Sequence, residues 1–231
     1  MTVVLATVCR DGVVIGSDSQ ITDKGRGMTY PAQKLHPLGE SAAWGGSGAR
    51  SVLTDVERCF NENSATILES PDIGRALQAQ VLPILHHHYE TFISDVPGDE
   101  DNGTPAAYVM AAGWRDGEPW ILEITPSGMI GHYADIGFHA IGSGAAMAQQ
   151  AGSLLSHFLL ADRSVHFGCA AVLRVLQALD LTSASVGKPF SLCRIDAEGA
   201  HHLSDKEIED LGNVVSKWEK AEQAVIAKMF D

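Results

Sequence analysis

Two apolar stretches joined by a tight turn constrain this chain more than any other feature. Thr2 to Thr7 is β-branched and apolar, Cys9-Arg10-Asp11-Gly12 reads as a hairpin turn, and Val13 to Gly16 returns as a second strand. Both strands are apolar on both faces. A strand with no polar side has nothing to show to water, so its sheet must be covered on both sides. The order along the chain is strands, two helices, strands, two helices, strands, helix. Blocks of strands alternating with pairs of helices imply stacked layers of sheet and helix, not a one-by-one βα alternation.

The remaining elements follow from periodicity and punctuation. Asp23 to Gly27 reads as a loop, and Lys34-Leu35 and Ser41 to Trp44 as short strands separated by Pro37-Leu38-Gly39. Val52, Val56 and Cys59-Phe60 share one helical face. Asp72 is placed to cap a second helix carrying Ile73, Leu77, Val81, Ile84 and Leu85, which Pro83 is expected to kink. The run His86-His87-His88 cannot converge on one ion, because consecutive helix residues point in different directions. It reads as a solvated face. Asp95 to Gly103 reads as an acidic loop without the spacing of a calcium site. Ala106 to Trp114, Pro119 to Ile124 and Met129 to Tyr133 form a strand meander. Helices are expected after Gly142-Ser143-Gly144 and from Ser164, and a last strand over Pro189 to Ile195. Gly142-Ser143-Gly144 is not followed by the Lys of a phosphate loop. Ser204 and Glu207 form a capping box for a final helix over about residues 204–230, with an apolar stripe of Ile208, Leu211, Val215, Trp218, Val225 and Met229.

No tract of Pro, Ser or Gly divides the 231 residues, so a single domain over 1–231 is expected. A formal charge of −13 disfavours a nucleic-acid partner, which needs a basic face for phosphates. No apolar run is read as spanning a membrane, and no basic segment followed by an apolar one marks a signal peptide. Cys9, Cys59, Cys169 and Cys193 are widely spaced and read as reduced thiols. The expected compartment is the cytoplasm, with no metal and no cofactor.

Candidate chemistry begins at Met1-Thr2. Removal of Met1 before a small residue would leave Thr2 with a free α-amine, a base of pKa about 7.7–8.0. A Thr hydroxyl needs such a base to act as a nucleophile. Asp18, Lys34 and Gly48 follow Thr2 within Asp11-Gly12-Val13-Val14-Ile15, Ser17-Asp18-Ser19 and Gly45-Gly46-Ser47-Gly48. With these spacings the amino-terminal stretch resembles the proteasome β-subunit family and its bacterial relative HslV. Gly142-Ser143-Gly144 and the pair Asp180 and Ser183 match two further motifs of that family. The chain is most similar to the proteobacterial proteasome homologues found beside HslV. It departs from the family at Ala184-Ser185, where Gly-Gly is common, and no propeptide is expected before Thr2.

The resemblance implies an α+β fold, a four-layer αββα sandwich of the N-terminal-nucleophile hydrolase type. It implies a threonine-type endopeptidase that cuts peptides or unfolded proteins inside stacked homo-oligomeric rings, seven subunits being favoured over six, with an ATPase unfoldase as a possible partner. A non-catalytic ring subunit and a small-molecule amidase remain as alternatives on the same fold. Thr2 would be the nucleophile, Lys34 would favour its deprotonated oxygen, and Asp18 would pair with Lys34. The Gly48 amide would donate to the oxyanion. Ser143, Asp180 and Ser183 would orient the α-amine, or serve only as caps and turn residues. The pocket for the residue before the cut would be lined by Ile21, Ala32, His36, Gly46 and Arg50. Gly46 is expected to leave that pocket open at its base. Arg50 either draws acidic side chains or pairs with Asp55 or Glu57.

Overall fold

The computed structural model describes residues 2–23, 27–94, 104–184 and 186–230. The expected acidic loop, Met1, Gly25 and Ser185 lie outside the described residues. The hairpin read from the first residues is β1 (Val4–Cys9) and β2 (Gly12–Ser17), paired antiparallel with every residue buried. Their two apolar faces are used in different ways. Val4, Ala6, Val13 and Ile15 point into the space between two sheets, while Leu5, Cys9 and Val14 point outward under a helix layer.

The first sheet also contains β10 (Phe138–Ile141), β11 (Ser191–Asp196) and β12 (Gly199–His202), in the order β10-β1-β2-β11-β12. The second sheet contains β5 (Leu35–Leu38), β6 (Ala42–Gly48), β7 (Ala107–Arg115), β8 (Glu118–Ile124) and β9 (Ile130–His132), in chain order. Helices α1 (Arg50–Leu68) and α2 (Ile73–Thr91) cover its outer face through Val52, Val56, Phe60, Leu77 and Val81. Helices α3 (Ala145–Leu155), α4 (Val165–Thr182) and α5 (Asp205–Phe230) lie on the outer side of the first sheet. The result is the expected four-layer αββα sandwich. A separate hairpin of β3 (Gln20–Asp23) and β4 (Met28–Pro31) stands beside the sheets.

Several expectations need correction. Sequence periodicity missed β3, β4 and β10, which are each only four residues long. Pro37, expected in a break between two strands, lies inside β5. That strand is the edge of its sheet, so the missing N–H costs no ladder bond. Helix α2, by contrast, runs as one element through Pro83 and His86-His87-His88 to Thr91, a continuation the sequence allows. Helix α4 is 18 residues long with mean hydropathy 1.3, apolar enough by composition to cross a membrane. Ten of its residues are buried against the sheet and α5, as in a core helix.

Local signals that held are mostly caps. Asp72 accepts the Arg75 amide at 3.0 Å. Ser204 and Glu207 exchange bonds in both directions, the Ser204 amide donating to Oε2 at 2.7 Å and the Glu207 amide to Oγ at 3.4 Å. The apolar stripe of α5 divides in two. Val215 is buried and Ile208 and Leu211 are partly buried, whereas Val225 and Met229 are exposed. Trp218 lies between these parts, packed on Phe158 and Phe167 with the Arg174 guanidinium 4.1 Å from its ring centre. Cys9, Cys169 and Cys193 are buried, and burial pushes each thiol up to about 12.

Candidate active site

The site forms where β1, β2, β5 and β6 meet near the end of the sheets. Asp18 follows directly on β2 and is fully buried. Its Oδ1 accepts the Val3 amide at 3.0 Å and the Lys34 ammonium at 2.8 Å, and its Oδ2 accepts the Gln20 amide at 3.0 Å. Lys34 Nζ also donates to the Gln20 carbonyl at 2.6 Å. One carboxylate therefore ties the residue after Thr2 to the lysine that precedes β5. Burial pushes the Lys34 ammonium below its ordinary range, and the Asp18 charge and hydrogen bond oppose that shift.

Thr2 is fixed from its other side by the Gly142-Ser143-Gly144 turn. Its nitrogen donates to Ser143 Oγ at 3.1 Å, and its carbonyl accepts the Gly144 amide at 3.1 Å. While Met1 is attached that nitrogen is a peptide amide. It stands where the α-amine would be once Met1 is removed. Gly142 has φ +93°, and a Cβ there would run into the Thr2 carbonyl oxygen.

Gly48 ends β6 with φ +129°, and a Cβ there would strike the Ala106 carbonyl. Its amide direction follows from the ladder. The Ala49 amide donates to Ala106 at 2.8 Å and the Trp114 amide to Ser41 at 3.4 Å, so odd positions of β6 face β7. Gly46 and Gly48 therefore turn their amides toward β5. The register pairing Leu35 with Gly45 puts Ala32 opposite Gly48, but β5 begins only at Leu35. The Ala32 amide is taken by the Ser19 carbonyl at 2.7 Å. Gly48 itself lines a cleft beyond the end of the edge strand.

That cleft has a volume of about 640 Å³. Thr2, Lys34, Gly48 and Ser143 line one end, and Ile21 and Tyr30 of the β3–β4 hairpin form a side wall with Ala32 and Gln33. The floor is the face of β6 carrying Trp44 and Gly46, opposed by Arg50, Leu53, Thr54 and Glu57 of α1. All five expected pocket positions, Ile21, Ala32, His36, Gly46 and Arg50, border this one space. Asp18 lies behind it. Asp180, in the last turn of α4, and Ser183, at its C-cap, stand outside the lining. The loop that follows them is tied toward the site by Gln20, whose Nε2 donates to the Ala184 carbonyl at 2.7 Å.

Two features were not visible in the sequence. The space left by Gly46 is not open, because Leu53 of α1 occupies the place a Cβ would take. Glu57 meets His36 Nδ1 at 3.2 Å, not Arg50. Asp55 is engaged by Arg58 at 3.2 Å and His88 at 2.9 Å. Among the described residues Arg50 has no carboxylate within ion-pair distance. His36 stacks on Trp44 with ring centres 4.8 Å apart. Burial pushes the His36 ring below its ordinary range against the opposing pull of Glu57. Positions 50, 53, 54 and 57 share one helical face, a pattern that could have flagged Leu53 and Glu57 once Arg50 was placed.

The fold is the αββα sandwich of N-terminal-nucleophile hydrolases, with its candidate nucleophile at the end of a cleft between a sheet and a helix. No family model matches the chain, and no curated protein does. Solved structures do match over nearly its whole length. Anbu from Hyphomicrobium sp. strain MC1 is 18% identical with TM-score 0.72, covering 99% of this chain and 98% of that one. A Gly-1 mutant of Anbu from the same strain is 17% identical with TM-score 0.72, covering 100% of both chains. Anbu (ancestral beta-subunit) from Yersinia bercovieri is 14% identical with TM-score 0.73, covering 97% of each chain. These matches correct the family read from the sequence. The similar structures are named Anbu, not HslV or proteasome β-subunits of the HslV type. At such identities the likeness establishes the fold, a proteasome-like ancestral β-subunit fold.

Proposed function

We propose that this chain is a threonine-type peptidase whose nucleophile is Thr2 after removal of Met1. The observation that carries this reading is the shared Asp18 carboxylate. It holds Lys34 and the Val3 amide together at the end of a cleft that Gly48 also lines. In this mechanism the α-amine takes the Thr2 hydroxyl proton as Oγ1 attacks the substrate carbonyl carbon. The charged Lys34 favours the developing alkoxide, and the Gly48 amide donates to the oxyanion. Ser143 orients the α-amine through the bond its oxygen now makes to the Thr2 nitrogen. Asp180 and Ser183 support the loop behind it.

The chain acts as one domain in the cytoplasm, assembled into homo-oligomeric rings. Enclosure keeps such an enzyme from attacking folded neighbours, and the exposed Val225, Ile226, Met229 and Phe230 at the end of α5 suit contact with another subunit. Seven subunits per ring is the expected number, and an ATPase would deliver unfolded chains.

The test is intact mass spectrometry with a threonine-directed epoxyketone. The expected result is loss of Met1 and one covalent adduct, absent from Thr2→Ala. A folded wild-type protein that has lost Met1 yet takes no adduct and cuts no peptide would overturn the proposal. Native mass spectrometry reads the ring size, and a stable monomer would remove the assembly.

A further inference from the structure

The cleft does not end at Leu53. Beyond it, toward the middle of α1, the lining is His36, Trp44 and Glu57. Arg50 opens α1 beside Gly48, and Glu57 follows seven residues later on the same face. At 1.5 Å per residue the Glu57 end lies about 10 Å from the mouth. A side chain entering beside Thr2 has to be about that long to reach it.

Glu57 is built for a cation. Its side chain is 44% exposed, so its charge is not quenched by burial. One oxygen, Oε1, meets His36 Nδ1 at 3.2 Å, which orients the carboxylate; Oε2 has no hydrogen bond among the described residues. The His36 ring is itself held by stacking on Trp44, which is fully buried. Arg58, next in sequence, is turned away to Asp55. Arg50 is the competing charge at the mouth. At about 10 Å its repulsion of a cation seated at Glu57 falls to the scale of one screening length. A direct charge-assisted hydrogen bond to Glu57 is not screened in that way. An acidic side chain is shorter than Lys or Arg and would stop against Leu53, between Arg50 and the like charge of Glu57.

We infer that Glu57, positioned by His36, sets the specificity of this cleft, and that the side chain it takes before the cut is Lys or Arg. This reverses the acidic preference read from Arg50 alone. It rests on the cleft being the substrate site proposed above, so its test measures binding apart from catalysis.

Fluorescein-labelled peptides identical except for a carboxy-terminal Lys, Arg, Leu or Glu are titrated against the assembled wild-type protein and Glu57→Gln, with fluorescence anisotropy as readout. The Lys and Arg peptides should bind about tenfold tighter than the Leu and Glu peptides, the scale of one charge-assisted hydrogen bond. Glu57→Gln should remove that difference by weakening the Lys and Arg peptides. Epoxyketone labelling of the wild-type protein in the same samples, using a Leu-bearing probe, reads the nucleophile separately from binding. Equal or tighter binding of the Glu peptide, a preference that survives Glu57→Gln, or no measurable binding of any peptide would overturn the inference. Basic selectivity without labelling would retain it and remove the peptidase reading instead.

Discussion

Asp18 holds Lys34 at 2.8 Å from a position with no solvent exposure, and the same oxygen accepts the Val3 amide at 3.0 Å. The pair is therefore a device for placing the chain next to Thr2 as well as a charge balance. Removing Asp18 takes an acceptor from three donors: the Val3 amide, the Gln20 amide and the Lys34 ammonium. Asp18→Ala should lose roughly 3–5 kcal/mol of stability, and more than Lys34→Met, as read by urea unfolding. The pH dependence follows from the lowered Lys34 value. The folded state releases its proton first, so the unfolded state binds more protons between that lowered value and 10.5. Stability carried by Lys34 should rise with pH across this window, and Lys34→Met should flatten that limb.

Gly142 makes the second fixed approach to Thr2. Its φ of +93° and the nearby Thr2 carbonyl leave no place for a side chain. Gly142→Ala should cost about 1–3 kcal/mol and reduce epoxyketone labelling roughly a hundredfold by misplacing Thr2. Labelling at the wild-type rate would show that the turn does not position the nucleophile.

The capping box titrates at acid pH. Hydrogen bonds from Ser204, then from His201, hold the Glu207 carboxyl down to about 2. Its folded value lies below its unfolded one, so its contribution to stability is complete above the ordinary 4.5 and is lost as pH falls through about 2. Carbon-detected NMR titration of the Glu207 side chain should give this depressed midpoint in wild type and a return toward 4.5 in Ser204→Ala.

Arg174 latches α4 to α5. It donates to both oxygens of Glu222 at 3.0 and 2.6 Å and lies over Trp218. Glu222 is 32% exposed, so solvent weakens the pair. Arg174→Ala should cost about 1–2 kcal/mol in thermal or urea unfolding. Arg174→Lys should recover only part of it, since an ammonium cannot make the two-pronged bond. A loss confined to exchange protection of residues 205–230 would localise the effect to α5.

That sheets and helices stack in layers was legible from residues alone, because apolar patterning is local; the αββα order was implied by the family resemblance. Strands apolar on both faces require covers, and Val52, Val56 and Phe60 or Ile73, Leu77 and Val81 announce helices to provide them. Asp18, Lys34 and Gly48 were singled out only by the family resemblance that their spacing from Thr2 carries. What only the tertiary structure decided is what stands across from what. Arg50, Thr54 and Glu57 read as the polar side of an amphipathic helix, and nothing in their spacing says that β6 lies opposite. Packing of α1 on that strand sends Leu53 into the space left by Gly46 and brings Glu57 to His36. Short elements escaped for a related reason. β3, β4 and β10 span four residues each, too few for a period to show, and β4 is held by its partner strand, not by burial of its own side chains. Local chemistry determined the sheets and the helices. The shape and charge of the cleft came from side chains far apart in sequence, which only the packed layers bring together.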